Sequence, residues 1–329
     1  MSYKSKKVLI TGGLGFVGSN LAIALVKKGA VVTLVDCLLP RQGGNIFNIK
    51  PVERKAVVDY ADIRDPEAMN ELVKNMDYIF HLAGQVSHVD SIKNPLQDLS
   101  VNAEGTLVVL EACRRFNPKA KVIFSGTRGQ YGTSVRLPVD EEHPMHPKGV
   151  YAITNLCAEN FVTVYNQVHK LNTIALRITN TYGPRHQMQH DEYGVFNWFI
   201  RKAIDGEAID IFGDGRILRD FLYIDDLVDC LLKCGLTPKA YGQIFNVGTG
   251  KPVNFIDLAK KIVKIARSGS IRFTKFTNER KALEPGDYYA DITKIKRVVG
   301  WKPKVGLDSG IKKTIEFYQE FKKHYWKND

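Results

Sequence analysis

Three glycines, one carboxylate, two hydroxyl-bearing side chains and an asparagine carry most of the chemistry legible in this chain. In TGGLGFVG, residues 11–18, Gly12, Gly15 and Gly18 form a G-x-x-G-x-x-G pattern between the apolar run KKVLI and a stretch with apolar residues at helical spacing. Glycines placed there let the chain turn tightly and approach a pyrophosphate at the helix N-terminus. The next apolar run, VVTLVD, ends in Asp36. A carboxylate at that point accepts hydrogen bonds from two ribose hydroxyls and repels a 2′-phosphate, which selects NAD over NADP. A second group joins Thr127, leaving the run KVIFSGT, to Tyr151, opening the helical stretch YAITNLCAEN. A hydroxyl and a phenol brought together can hold and deprotonate one substrate alcohol.

Positioning these groups takes a particular scaffold. Short apolar runs (KKVLITGG, VVTLVD, VVDYADIRD, DYIFHLAG, KVIFSG, TIALRITNTYG) alternate with helical stretches such as PLQDLSVNAEGTLVVLEACRRF. That rhythm predicts an α/β fold, a doubly wound parallel sheet covered on both faces. After about residue 180 loops rich in Gly, Pro and Asp separate shorter elements, as expected of a smaller α/β domain closing over a cleft. The predicted division is 1–179 for the nucleotide-binding (Rossmann) domain, with a return segment near 220–250, and 180–329 for the substrate-binding domain.

The 329 residues, 44% apolar and 25% charged, suffice for a sizeable core. No run of eighteen apolar residues is present, and the basic N-terminal tail enters a strand without an apolar leader, so a cytoplasmic protein that engages no membrane is expected. Five cysteines without a C-x-x-C pair fit reduced, structural thiols. His186 and His190 stand four apart but lack partnering ligands at a recognisable spacing, so no metal is expected. The net charge of +12 is concentrated in residues 251–329, with 19 Lys and Arg against 9 Asp and Glu. No aromatic platform accompanies it, so it reads as the solvated face of amphipathic helices rather than a nucleic-acid site.

TGGLGFVG, DIRD, HLAG, FSGTRGQYG, Y-x-x-x-N at 151–155, LRITNTYGPR, IFGDGRILRDFLYIDD and NVGTG follow one another in this order. Over nearly its whole length the chain thereby resembles the extended short-chain dehydrogenase/reductases, the NAD-dependent epimerase/dehydratase family acting on nucleotide sugars. The resemblance implies a cofactor cradle of Gly12, Gly15, Phe16, Val17, Gly18, Asp36, Asp62, Ile63, Leu82, Ala83, Gly84, Ser125, Tyr151, Asn155 and Ile178. It implies substrate contacts from Gln85, Thr127, Asn180, Arg185, Val195, Phe196, Phe212 and Arg219, and a homodimer through helices near 95–115 and 151–169. Catalysis would fall to Thr127, Tyr151 and Asn155.

Two departures stand out. The family keeps a lysine where this chain has Asn155. That lysine holds the nicotinamide ribose and, as a cation, lowers the tyrosine pKa; asparagine keeps the hydrogen bond and brings no charge. Arg128 and Lys148 are sequence neighbours able to supply it. Glu284 stands where many relatives have a phosphate-binding arginine, leaving Arg280 or Lys281 to take over. Dehydratases follow the threonine with an Asp-Glu pair, and decarboxylases keep a Glu two residues after it; here Arg128 and Gly129 follow. The expected reaction is epimerisation of a nucleotide-diphosphate sugar, most simply at C4 of a UDP-sugar. A CDP-sugar 2-epimerase, a dehydratase and a binding protein disabled at Asn155 are the competing readings.

Overall fold

The computed structural model describes residues 2–277, 281 and 284–326. Strands β1 (Lys7–Thr11), β2 (Val31–Val35), β3 (Ala56–Asp59), β4 (Tyr78–His81), β5 (Lys121–Thr127) and β6 (Asn172–Ile178) come from the six apolar runs of the first half. The second half contributes β7 (Asn180–Tyr182), β8 (Ala208–Phe212), β9 (Leu218–Tyr223), β10 (Gln243–Val247), β11 (Pro252–Asn254) and β12 (Ser270–Thr274). Seven of these form one parallel sheet in the order β10-β6-β5-β4-β1-β2-β3. The fold is therefore the expected doubly wound α/β sheet.

Alternation along each strand feeds two cores. Val8, Ile10, Val32, Leu34, Phe80, Ile123 and Ile174 point to one face, where the helices Phe16–Lys27 and Ile224–Leu236 cover them. Leu9, Val35, Ile79, Val122, Phe124 and Ala175 point to the other, beneath the helices Gly105–Phe116 and Val150–His169. Strand order reverses between β1 and β4, and a crevice opens there beyond the strand ends. Thr11 holds its lip: the hydroxyl lies 2.8 Å from His81 Nδ1 and accepts the N–H groups of Leu82 and Ala83, each at 3.1 Å. Burial pushes His81 down to about 4, which keeps the ring neutral in this polar contact.

One predicted strand is two. TIALRITNTYG ends its first strand at Ile178 and resumes at Asn180 as β7, which leaves the large sheet and pairs in parallel with β9. Thr179 makes the break: its N–H still donates to Val247 of the large sheet at 3.0 Å, while its hydroxyl donates to the carbonyl of Asp220 on β9 at 2.8 Å. Asn180 consequently sits at the seam between the sheets. β11 pairs antiparallel with β9, and β8 pairs with β12 in parallel. Among the described residues no helix is long and apolar enough to cross a membrane.

Candidate active site

Two cavities of about 200 Å³ each run along the strand ends and join a third of about 470 Å³ beneath the second-half elements. Val86 borders all three, making them one channel. Gly12, Gly15, Phe16, Val17, Gly18, Asp36, Asp62, Ile63, Leu82, Ala83 and Gly84 line its first part. Gly12 takes φ +67°, and a Cβ on Gly18 would stand 2.1 Å from the Gly12 carbonyl oxygen. Loop and helix therefore touch backbone to backbone. Gly15 caps the helix Phe16–Lys27 without any side chain, leaving the helix N-terminus to an anion.

Asp36 Oδ2 accepts Leu14 N–H and Oδ1 accepts Leu38 N–H, both at 3.0 Å, which fixes the carboxylate at the rim with lone pairs to spare for hydroxyls. Burial raises its pKa against those two donors. Asp62, paired to Arg64 at 2.6 Å, is held below its usual range by that guanidinium. Two loops close over this part of the channel. Arg41 pairs with Glu192 at 2.7 Å, and Tyr193 Oη donates to the Arg41 carbonyl at 3.1 Å. A glycine cradle, an uncapped helix end and a rim carboxylate together fit a dinucleotide.

The middle of the channel holds the catalytic candidates. Ser125, Thr127, Tyr151, Asn155, Ile178 and Gln85 all line it. Thr127 ends β5, accepts Gly129 N–H at 3.1 Å and lines the same cavity as Tyr151. Packing around the phenol raises its pKa; Thr127 pulls it back, Asp98 pushes it up, and Arg128 pulls it down. Asn155 is 7% exposed, and its amide donates to the Tyr151 carbonyl one turn back at 2.9 Å. Gln85 is buried, gripping Ser87 through both ends of its amide and Asn102 through its backbone.

His88 was not singled out by sequence reasoning, although it lies four residues beyond Gly84. Its ring stands edge-on to Tyr151, 4.6 Å between centroids. Burial, seconded by Arg128, pushes it down to about 4, so it is neutral at pH 7.

The large cavity contains Thr127, Asn180, Val195, Phe196, Phe212 and Arg219 from the expected substrate set. Its aromatic wall is larger than expected, since Trp198, Phe255 and Phe276 join Phe212. Among the described residues Asn180 Oδ1 is buried without a hydrogen-bond partner. Arg185 is absent from the residues lining these three cavities: it donates to Asn20 Oδ1 at 3.0 Å and to the Asn48 carbonyl at 3.2 Å, and its guanidinium lies over Phe317. The substrate contact expected of it is therefore corrected to a structural tie.

Arg219, buried on β9, is ion-paired with Glu284 and donates to the carbonyls of Leu218 and Gly286 at 2.9 and 2.6 Å. Glu284, one of the two departures, thus neutralises the arginine expected to hold phosphate. Of the substitutes for that contact, Lys281 is absent from the cavity lining, and Arg280 lies outside the described residues. Glu284→Gln is expected to tighten binding of UDP by roughly three- to tenfold, about 1 kcal/mol, because an anionic wall group is removed and Arg219 is released. Isothermal calorimetry with UDP checks this.

A family model described as NAD dependent epimerase/dehydratase family matches residues 8–248. The UDP-glucose 4-epimerase of Mycolicibacterium smegmatis is 32% identical over 325 residues, covering 95% of this chain and 98% of that one. The CDP-paratose 2-epimerase of Salmonella typhi is 30% identical over 339 residues, covering 94% and 98%. The crystal structure of UDP-glucose 4-epimerase from Thermotoga maritima with UDP-glucose superposes with a TM-score of 0.88 at 32% identity, covering 96% of this chain and 99% of that one.

Proposed function

The chain belongs to the NAD dependent epimerase/dehydratase family, and from that premise we propose that it epimerises a nucleotide-diphosphate sugar through a transient keto sugar, with Tyr151 as the base. The observation that carries this reading is Tyr151 and Thr127 side by side where the cofactor and substrate parts of the channel meet. Bound NAD supplies a reversible acceptor for the hydride of the carbinol carbon. Thr127 orients the sugar hydroxyl, and Tyr151, as tyrosinate, removes its proton. When the sugar turns over, the tyrosine returns the proton to the alcohol formed on the other face. The Asn180 amide offers a donor to the anionic part of the substrate, and the aromatic wall offers faces to a nucleobase.

A UDP-sugar epimerised at C4 is the leading substrate reading, supported by the similarity to UDP-glucose 4-epimerases. Elimination is disfavoured by Arg128 and Gly129, which leave no carboxylate at the positions where dehydratases keep their acid and base. The test is a panel of UDP-, CDP-, dTDP- and GDP-sugars incubated with the NAD-loaded protein and followed by NMR. Inversion of a UDP-sugar at C4 is expected; inversion of a CDP-sugar at C2 would favour the second reading, and no inversion by any sugar would sink the proposal.

The rate should respond to position 155. Asn155→Lys places a cation beside the phenol, and each unit by which the tyrosine pKa falls multiplies the tyrosinate fraction about tenfold at neutral pH. The variant is expected to turn over faster than the unaltered chain, by less than about tenfold because Arg128 also bears on the phenol. A slower rate would show that Tyr151 is not the base.

The assembly we propose is a homodimer. Ile92, Leu96, Leu99, Ile153, Val164 and Val168 are exposed on the helices His88–Lys93, Pro95–Leu99 and Val150–His169, Leu96 to 79%. Three of these six, Ile153, Val164 and Val168, follow one stripe of the long helix. A second copy laying the same helices against these would bury them all. Sedimentation velocity is expected to give a dimer, and Leu96→Asp with Ile153→Asp a monomer.

A further inference from the structure

The helix carrying Tyr151 gives it no cation. Asn155 is neutral, and its donor is already bonded to the Tyr151 carbonyl. Asp98, on the neighbouring helix Pro95–Leu99, is fully buried; Thr154 bonds one of its oxygens, while the other has no partner. Its charge opposes a tyrosinate. The His88 ring is neutral. Lys148 lines the same cavity, yet its ammonium lies against the Glu284 carbonyl at 3.5 Å.

Arg128 is placed otherwise. It follows Thr127 directly and shares the cavity wall with Tyr151. Its guanidinium lies over the buried Tyr288 ring, 5.2 Å from the centroid, which fixes its height in the wall. Among the described residues no carboxylate stands in ion-pair contact with it. Glu284, which lines the same cavity, is engaged with Arg219. A cation held in a poorly hydrated wall acts on a phenol in the same wall with few water dipoles to screen it, here against the opposing effects of burial and Asp98 on the phenol and with Glu284 offsetting part of its charge. Burial and Arg219 lower Arg128 to about 10, which still leaves it charged at neutral pH.

We propose that Arg128 is the cation that holds down the proton affinity of Tyr151, in the place a helix lysine would fill. Arg128 acts through the tyrosine and is a positioning residue rather than a catalytic one. The proposal rests on the reading of Tyr151 as the base, and its test is independent of turnover. The NAD-bound protein, labelled with ¹³C at the tyrosine ζ carbon, is titrated by NMR, with Tyr151→Phe identifying the resonance. Arg128→Met is expected to raise the Tyr151 midpoint by about one unit or more, a tenfold smaller tyrosinate fraction at a given pH. Arg128→Lys should leave it nearly in place, and Asn155→Lys added to Arg128→Met should bring it back. Arg128→Gln serves as a second neutral variant should the methionine disturb folding. A midpoint shared by the unaltered protein and both neutral variants, or a phenol that stays protonated in all of them, overturns the proposal. Turnover retained by Tyr151→Phe would instead remove the base assignment while leaving the titration to be read by itself.

Discussion

Tyr151→Phe is expected to lower kcat by about a thousandfold while KM changes by less than about threefold, because general acid–base catalysis is typically worth two to four powers of ten. The proposed reaction uses the phenol oxygen. The ring keeps its place against His88 and in the cavity wall, so the cofactor and substrate walls stay intact. The pH profile carries the sign. The base acts as tyrosinate, so the rate climbs with pH up to the Tyr151 pKa. Packing around the phenol sets that pKa above the ordinary tyrosine value before NAD binds. Activity is therefore lost as pH falls, about tenfold per unit on the acid side, and Tyr151→Phe should flatten that limb. Steady-state kinetics across pH measures both effects.

Gly18→Ala attacks the cofactor instead. The new methyl carbon would lie 2.1 Å from the Gly12 carbonyl oxygen and 2.9 Å from its carbon. Both atoms are backbone, so no side chain can rotate away and the loop carrying Gly12 must move. That loop also meets Ala83, where a Cβ on Gly12 would come within 2.9 Å of the amide nitrogen. The displacement spoils the cradle on two sides. NAD affinity is expected to fall roughly a hundredfold, and the stabilisation that saturating NAD confers on thermal unfolding should largely disappear. The two variants separate the halves of the channel. Tyr151→Phe keeps NAD and loses rate, whereas Gly18→Ala loses NAD and, with it, rate.

Much of the first half was legible in the sequence because local pattern determines it. β1 to β6 are short apolar runs bounded by turn residues, and the glycine spacing of TGGLGFVG states its own backbone requirement. The second half was harder. The break at Thr179 depends on a strand 41 positions onward that receives its hydroxyl, and no window around residue 179 contains that information. Arg219 shows the same limit. The carboxylates near it in sequence do not pair with it: Asp220 is taken up by Thr249, Gly250 and Ala290, and Asp214 stands by Arg216. Glu284, 65 positions away, closes on it instead. Phe255 and Phe276 joined the cavity wall from an amphipathic helix and a loop whose positions periodicity does not fix. His88 was hidden for a different reason. A histidine one turn past a strand end has no distinguishing spacing, and only its edge-on approach to Tyr151 reveals it.

Asn155 and Glu284 look at first like two losses. The geometry recasts them as local rearrangements of charge. Glu284 takes Arg219 into an internal pair, and Arg128, with no such pair among the described residues, is left facing the phenol and the substrate space. Thr127 and Tyr151 still line one cavity, which Asn180 also borders.

The central claim is that the chain as it stands, with asparagine at 155, oxidises and re-reduces the same sugar carbon. UDP-glucose carrying deuterium at C4, incubated with the NAD-loaded protein in ordinary water and followed by NMR, tests this most directly. The account predicts UDP-galactose with deuterium still on C4, because a hydride held on the nicotinamide carbon does not exchange with water before it returns. A C4 epimer that carries solvent hydrogen instead, or UDP-glucose returned unchanged after the panel of sugars has also failed, would contradict it.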